Sequence, residues 1–323
     1  MTEFTAAFDW AKRHVDDGRL PHAVLGVADA DGIRALEAFG PVAADATYPL
    51  FSITKILTGI TATRAIERGL LTPQTPLTDA LPEFGRGRDD VVRLWHLGSH
   101  SSGITEPALD TAVPLRTELL TRGRDFPAGS ASRYSTLAYE GIAALYEHAT
   151  GRTWDAGVAE WGASIGATGI TLDPQEYVPV DGIEDSDLDW DRFVATRAAG
   201  AGLFARAEDL LRLGSDLLRT HRDGTAGVLT PAGLDLLRRP TTTGMARMDP
   251  YPAARGQDWG FTANLRSRGP GLISVDGFGH GGWAGTEFYV HPDHGAAWVL
   301  LTAKTGREDI DTDQLDNAVV ARV

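Results

Sequence analysis

Ser52 and Lys55 stand three residues apart in Phe51-Ser52-Ile53-Thr54-Lys55, at the head of a stretch, 53–68, that reads as a long amphipathic helix. Ile53, Ile56, Leu57, Ile60 and Ile66 fall close to helical spacing, and Gly69 is suited to end the helix in the left-handed conformation. Residues three apart on a helix share a face, so the hydroxyl and the amine would lie side by side in the first turn, where free backbone N–H groups carry partial positive charge. A serine hydroxyl barely ionises at neutral pH and needs an adjacent base to attack a carbonyl carbon. A lysine can be that base when burial disfavours its ammonium form. A helix cap beside a solvated lysine would have the same spacing, so the pair draws its meaning from context. The chain has only three lysines, Lys12, Lys55 and Lys304, and Lys55 sits in an otherwise apolar run.

Positioning such a pair takes a scaffold, and the patterning describes one. Residues 3–17 read as a helix with Phe4, Phe8, Ala11 and Val15 on one stripe. Strand-like runs at 22–30 and 33–39 flank Asp31-Gly32, a strong hairpin signal. From 71 to 189 the chain is helical segments broken by Pro and Gly; the clearest is 140–150, stopped by Gly151, and the acidic 173–191 stretch reads as an exposed crossing. Residues 207–222 form another helix, with Leu210, Leu211, Leu213, Leu217 and Leu218 as its apolar face. Strands are expected at 259–265, 272–278, 283–290 and 296–302, and a closing helix at 308–323. The fold class is α/β (α+β): one antiparallel sheet built from both chain ends and flanked by helices, with a helical insertion. On this reading 1–70 and 195–323 form the sheet domain, 71–194 a mostly helical one, and the active site lies between them.

The composition is that of a globular protein, 42% apolar and 23% charged. A net charge of −14 argues against nucleic acid or an anionic membrane surface as partner, since both are bound through basic patches. The absence of cysteine excludes disulfides, thiolate metal sites and a cysteine nucleophile. No basic, apolar and small-residue series opens the chain and no apolar run reaches 18 residues, so the expected location is the cytoplasm.

Several stretches in order resemble the serine β-lactamase and penicillin-binding-protein superfamily, in particular its class C-like branch with family VIII esterases. Phe51-Ser52-Ile53-Thr54-Lys55 is similar to the nucleophile motif, and Tyr134-Ser135-Thr136 to the Tyr-x-Asn motif. His280-Gly281-Gly282 is similar to the Lys-Thr-Gly or His-x-Gly motif. Glu67-Arg68-Gly69-Leu70-Leu71, Leu81-Pro82-Glu83-Phe84, 96–103 with its His100-Ser101-Ser102-Gly103, and Ala199-Gly200-Ala201-Gly202-Leu203 resemble further family stretches. The resemblance implies a β-lactamase/transpeptidase-like fold and an acyl-Ser52 intermediate. Lys55, or Tyr134 as a phenolate sustained by Lys55, would take the serine proton. Tyr134 would return a proton to the leaving group, and the backbone N–H groups of Ser52 and Trp283 would hold the oxyanion. Glycine at 281 and 282 would let substrate approach the strand edge. His280 would orient substrate or tune Tyr134. No cofactor or metal is implied.

Two departures shape the substrate class. Thr136 stands where the family usually has asparagine, which removes a carboxamide able to bridge Lys55 and a substrate amide. His280 stands in place of lysine, and a neutral imidazole is a poorer anion partner. Both point toward small or natural-product esters, with a small-molecule ester or amide substrate as the expected partner. Acyl transfer to an amine or alcohol, D-amino-acid peptidase or β-lactamase activity, and a non-catalytic sensor are the alternatives. Three other motifs carry less: Gly162-Ala163-Ser164-Ile165-Gly166 follows a helix rather than a strand, Lys304-Thr305-Gly306 ends the last strand, and His291-Pro292-Asp293-His294 reads as a turn.

Overall fold

A computed structural model describes residues 3–248, 257–266, 271–307 and 309–322 of the chain. Among these, seven strands form one antiparallel sheet in the order Gly32–Phe39, Ala23–Asp29, Ala296–Leu301, Glu287–His291, Phe278–Gly281, Asn264–Leu265, Asp258–Trp259. Strands from both chain ends thus meet in its middle. Successive side chains on a strand point to opposite faces, so each central strand feeds two cores. Val24, Val299 and Leu301 face a core shared with Ile56, Ile60 and Leu211. Leu25, Val27, Trp298 and Leu300 face Phe8 of the Thr5–Asp16 helix and Leu315 of the Thr312–Ala321 helix. The result is a helix–sheet–helix sandwich, the β-lactamase/transpeptidase fold.

The nucleophile helix differs from its expected form. A 3-10 turn, Phe51–Ile53, carries Ser52, and the α-helix proper runs Thr54–Glu67, with Gly69 at φ 72° beyond it. It is not amphipathic: all of Thr54 through Thr63 is buried. Small residues account for this, because neighbours close on every side. A Cβ at Gly59 would stand 1.6 Å from Thr262 Oγ1, so a turn of the sheet plugs into the helix at that point.

The same contact explains why the expected strand 259–265 is two short ones. Its centre is a tight turn with Thr262 at φ 67°, whose N–H donates to the Gly98 carbonyl at 2.8 Å. The expected strand 272–278 is strand only at Phe278; the ladder runs on through Gly281, so His280 and Gly281 are strand residues. The expected strand 283–290 is Glu287–His291, because 282–286 turn. The closing helix is Thr312–Ala321, and residues 308 and 323 lie outside the described residues. In the first hairpin the two turn residues are Ala30 and Asp31, with Gly32 at φ 138° already paired to Asp29.

Helices Ala138–Thr150 and Trp154–Ser164 pack beside the nucleophile helix, Leu94–Gly98 and Leu115–Thr121 pack on Ala138–Thr150, and the loop before Ala138–Thr150 points residues 134–136 at the nucleophile helix. Among the described residues no helix is long and apolar enough to cross a membrane.

Candidate active site

Three segments distant in sequence converge on Ser52. The Lys55 ammonium donates to Ser52 Oγ at 3.1 Å, to Thr136 Oγ1 at 3.1 Å and to the Gly200 carbonyl at 2.8 Å. The Tyr134 hydroxyl donates to Ser52 Oγ at 2.6 Å. Lys55 is fully buried, and its nitrogen lies 4.6 Å from the centre of the Tyr134 ring. Burial pulls its pKa down to about 7, against the opposing pull of the Glu106 carboxylate. The amine therefore changes protonation state near neutral pH while in contact with the serine.

Local geometry fixes each member. Phe51 holds the left-handed conformation at φ 45°, which costs a non-glycine residue roughly 1–3 kcal/mol. Its ring is held by Phe193, 5.2 Å away and stacked, and by Trp283 at 5.5 Å. Ser52 is thereby presented at the start of the helix. The 199–203 stretch is stitched to that helix by Thr58 Oγ1 to the Ala199 carbonyl, 2.7 Å, and by the Leu203 N–H to Thr54 Oγ1, 3.1 Å. At Gly200 a Cβ would stand 2.9 Å from the Thr136 carbonyl, so glycine lets the Lys55 acceptor and the Thr136 loop come together.

The loop 134–136 is held by a residue that carried no sequence signal. Glu106 accepts from the Thr136 N–H at 3.0 Å, from the Leu137 N–H at 3.2 Å and from Ser135 Oγ. These donors stand at the start of the Ala138–Thr150 helix, where N–H groups lack helical partners. Burial pushes the Glu106 carboxyl above its usual range, and those hydrogen bonds pull it back. His100, inside the family-like 96–103 stretch, is likewise more than a motif letter. It is fully buried, accepts from the Ser135 N–H at 3.0 Å through Nδ1, and lies 4.5 Å from the Tyr134 ring.

His280 requires a correction. It does not line the cavity beside Ser52 and cannot orient substrate there, because its side chain is fully buried, 5.9 Å from the Tyr134 ring and 5.5 Å from Trp259. Burial and the nearby Lys55 lower its pKa to about 3, so it is neutral, with Nδ1–H donating to the Gly281 carbonyl at 2.7 Å. Contact with the Tyr134 ring is what remains of its expected part. The two glycines also divide. At Gly281 a Cβ would meet nothing closer than 3.7 Å, whereas at Gly282 it would stand 2.5 Å from the Leu50 carbonyl and 2.1 Å from Thr286 Oγ1. Glycine at 282 makes room for the chain's own segment before Ser52. That packing brings Trp283, 43% exposed, to the cavity wall.

The cavity holds about 460 Å³ and is lined by Phe51, Ser52, Glu106, Tyr134, Thr136, Gly281, Gly282 and Trp283 among others. A larger groove of about 910 Å³ along 43–47 and 168–178 touches none of Ser52, Lys55 and Tyr134. The motifs given less weight are occupied otherwise. Ser164 caps its helix by donating to the Trp161 carbonyl at 2.6 Å, Lys304 pairs with Asp181 at 3.2 Å, and His291 donates to Asp316 at 2.8 Å. Among the described residues no group of three or more His, Asp or Glu side chains could hold a metal ion.

This geometry belongs with a known group of proteins. The Beta-lactamase family model matches residues 8–321, and the chain is a member of that family, within the β-lactamase-like serine hydrolase superfamily. Esterase EstB from Burkholderia gladioli is 28% identical over 316 residues, covering 79% of this chain and 77% of that protein. Penicillin-binding protein 4 from Amycolatopsis lactamdurans is 26% identical over 290 residues, covering 81% and 73%. The solved structure of EstCE1, described as a hydrolase with promiscuous acyltransferase activity, superposes with a TM-score of 0.77 at 19% identity, covering 98% of this chain and 97% of that one.

Proposed function

We propose that the protein is a serine esterase acting on small esters through an acyl-Ser52 intermediate. The observation that carries this reading is that one serine oxygen is contacted by both a buried amine of pKa about 7 and a phenol. Ser52 Oγ attacks the ester carbonyl carbon as its proton passes to Lys55, or to Tyr134 acting as a phenolate beside the Lys55 ammonium. The two titrate as a pair. The backbone N–H groups of Ser52 and Trp283 stabilise the oxyanion, each worth roughly 3 kcal/mol by analogy with other acyl transfers. The C–O bond then breaks, Tyr134 protonates the departing alcohol, and water repeats the sequence to free the acid and Ser52.

Thr136 and His280 support esters over β-lactams and acyl-D-amino acids. The Thr136 hydroxyl meets Lys55 but offers no carboxamide for a substrate amide, and neutral, buried His280 supplies no cation at the strand. The likeness to esterase EstB agrees with this. Purified protein should hydrolyse 4-nitrophenyl butyrate, a slow ester should add its acyl mass to the peptide holding Ser52, and Ser52→Ala should abolish both. Hydrolysis that survives the substitution would end the proposal. Faster turnover of a cephalosporin than of any ester would replace it with a lactamase reading, and a stable adduct without turnover with a sensor. Added amines or alcohols that divert the acyl group would move the assignment to transfer.

A further inference from the structure

Asn264 stands in the wall of the Ser52 cavity, 2% exposed, with its Oδ1 buried and, among the described residues, without a hydrogen-bond partner. The polar group beside it on the same ladder is satisfied: Asp258 accepts from Arg247 at 2.8 Å and from Thr243 Oγ1 at 3.1 Å. Buried polar atoms almost always find a partner, so an unpaired one in a cavity wall marks a place that a ligand group completes.

The pairing of the short strand Asn264–Leu265 sets where that oxygen stands. Asn264 is the cross-strand partner of Gly279 on one side and of Trp259 on the other, and the Trp259 ring lies 5.7 Å from the ring of Tyr134. Tyr134 protonates the departing alcohol, so the alcohol half of an ester lies on this side of Ser52. Gly281, two residues beyond Gly279, leaves the way open, since a Cβ there would meet nothing closer than Glu287 Cγ at 3.7 Å. Glu287 and Arg307 also line the cavity and act on each other through their charges. This end therefore carries both signs of charge beside hydrogen-bonding groups, which suits an uncharged polar ligand over an ion. The other end differs. Pro107 and Leu109 follow Glu106 beside Thr136, and with Ala201 they give the wall near Lys55 an apolar surface.

We infer that Asn264 hydrogen-bonds a hydroxyl on the alcohol half of the substrate, so that the preferred esters join an apolar acyl group to a polyol of the glycerol or sugar kind. The inference rests on the esterase reading and narrows it. A hydroxyl both donates and accepts, so it can give a hydrogen to Oδ1 and also take one from the amide nitrogen. A carboxylate has no hydrogen to give Oδ1 and would leave it unpaired. A site built around a substrate hydroxyl discriminates strongly against the analogue that lacks it, because the protein's own buried group is then left without a partner.

The test compares 1-butyrylglycerol with propyl butyrate, which share the acyl group and a three-carbon alcohol and differ only in two hydroxyls. The native protein should favour 1-butyrylglycerol at least tenfold in kcat/KM. Asn264→Leu, close to asparagine in size, should lower that ratio at least fivefold, mainly through KM, and Asn264→Asp, which keeps an acceptor oxygen, should retain more of it than Leu. No preference in the native protein, or a preference unchanged in folded Asn264→Leu, would overturn the inference. Faster turnover of 2-butyryloxyacetate than of 1-butyrylglycerol would overturn it too, since the wall would then be reading charge. Calorimetry on Ser52→Ala protein reads the same contact without turnover and without any change at Asn264. There 1-butyrylglycerol should bind at least tenfold tighter than propyl butyrate, and equal, weaker or undetectable binding would overturn the inference whatever the fate of the esterase assignment.

Discussion

Two polar clusters centred on buried groups, Asp316 and Lys55, lie on opposite faces of the sheet, and they treat charge differently. Behind the sheet, Asp316 accepts from Trp298 Nε1 at 2.7 Å and His291 Nε2 at 2.8 Å, while Arg266 pairs with Asp313 at 2.7 Å and stands 3.7 Å from Asp316. In front, the buried Lys55 ammonium meets three uncharged oxygens, and two of these, Ser52 Oγ and Thr136 Oγ1, belong to residues that line a cavity. Charge facing charge locks a packing arrangement, and breaking such a pair costs about 3–5 kcal/mol. Charge whose contacts are all dipoles, with a carboxylate acting only from a distance, is left with its proton affinity depressed by burial, which suits chemistry more than stability. On the proposed esterase reading the front cluster is the functional one, and the rear one belongs to the fold.

Substitutions in each cluster put this contrast at risk. Ser52→Ala should reduce kcat/KM on 4-nitrophenyl butyrate by a factor on the order of 10⁴ or more, while the urea midpoint stays near that of the native protein. Lys55→Met should cost about 10³ in rate. It should leave the urea midpoint unchanged or higher, because an apolar chain of similar length replaces a buried amine. A Lys55→Met protein that is both active and much less stable would reverse the contrast. Asp316→Ala should do the opposite, losing about 3–5 kcal/mol in urea titration with kcat per folded molecule close to native. An intact midpoint in Asp316→Ala would show that the rear cluster does not hold the fold together.

How much of this the sequence disclosed follows from the range of each interaction. The Ser52–Lys55 pair is set by three residues of helical spacing, and the strands expected at 22–30 and 296–302 by short apolar, β-rich runs between turn residues, so both were legible. Tyr134 and Thr136 were found through a motif resemblance, since no spacing rule connects position 55 to position 134. Glu106 was not found, because a carboxylate that holds a loop leaves no periodic trace. His280 was read as orienting substrate or tuning Tyr134, from a motif on the strand edge beside the nucleophile. Strand alternation turned that side chain inward and left Gly281 on the cavity side. The split of 259–265 was hidden for the same reason, as it depends on a helix glycine two hundred residues earlier.

The smallest expected effect separates holding from tuning. With Lys55 at a pKa of about 7 and required in its unprotonated form, kcat/KM should be low in acid and rise as pH passes through about 7. Glu106 is a negative charge that favours the ammonium form, so removing it makes the proton leave more readily. Glu106→Gln should therefore shift the acid limb to lower pH, by up to about one unit. The same substitution loses an oxygen that accepts from the Thr136 and Leu137 N–H groups, which should lower the plateau of kcat without moving the limb. Plateau and limb thus report two separate jobs of one carboxylate. A lowered plateau with an unmoved limb would make Glu106 a loop anchor alone. A limb moved to higher pH would mean that the group titrating near 7 is not the amine beside Ser52, and the difference drawn between the two clusters would lose its electrostatic basis.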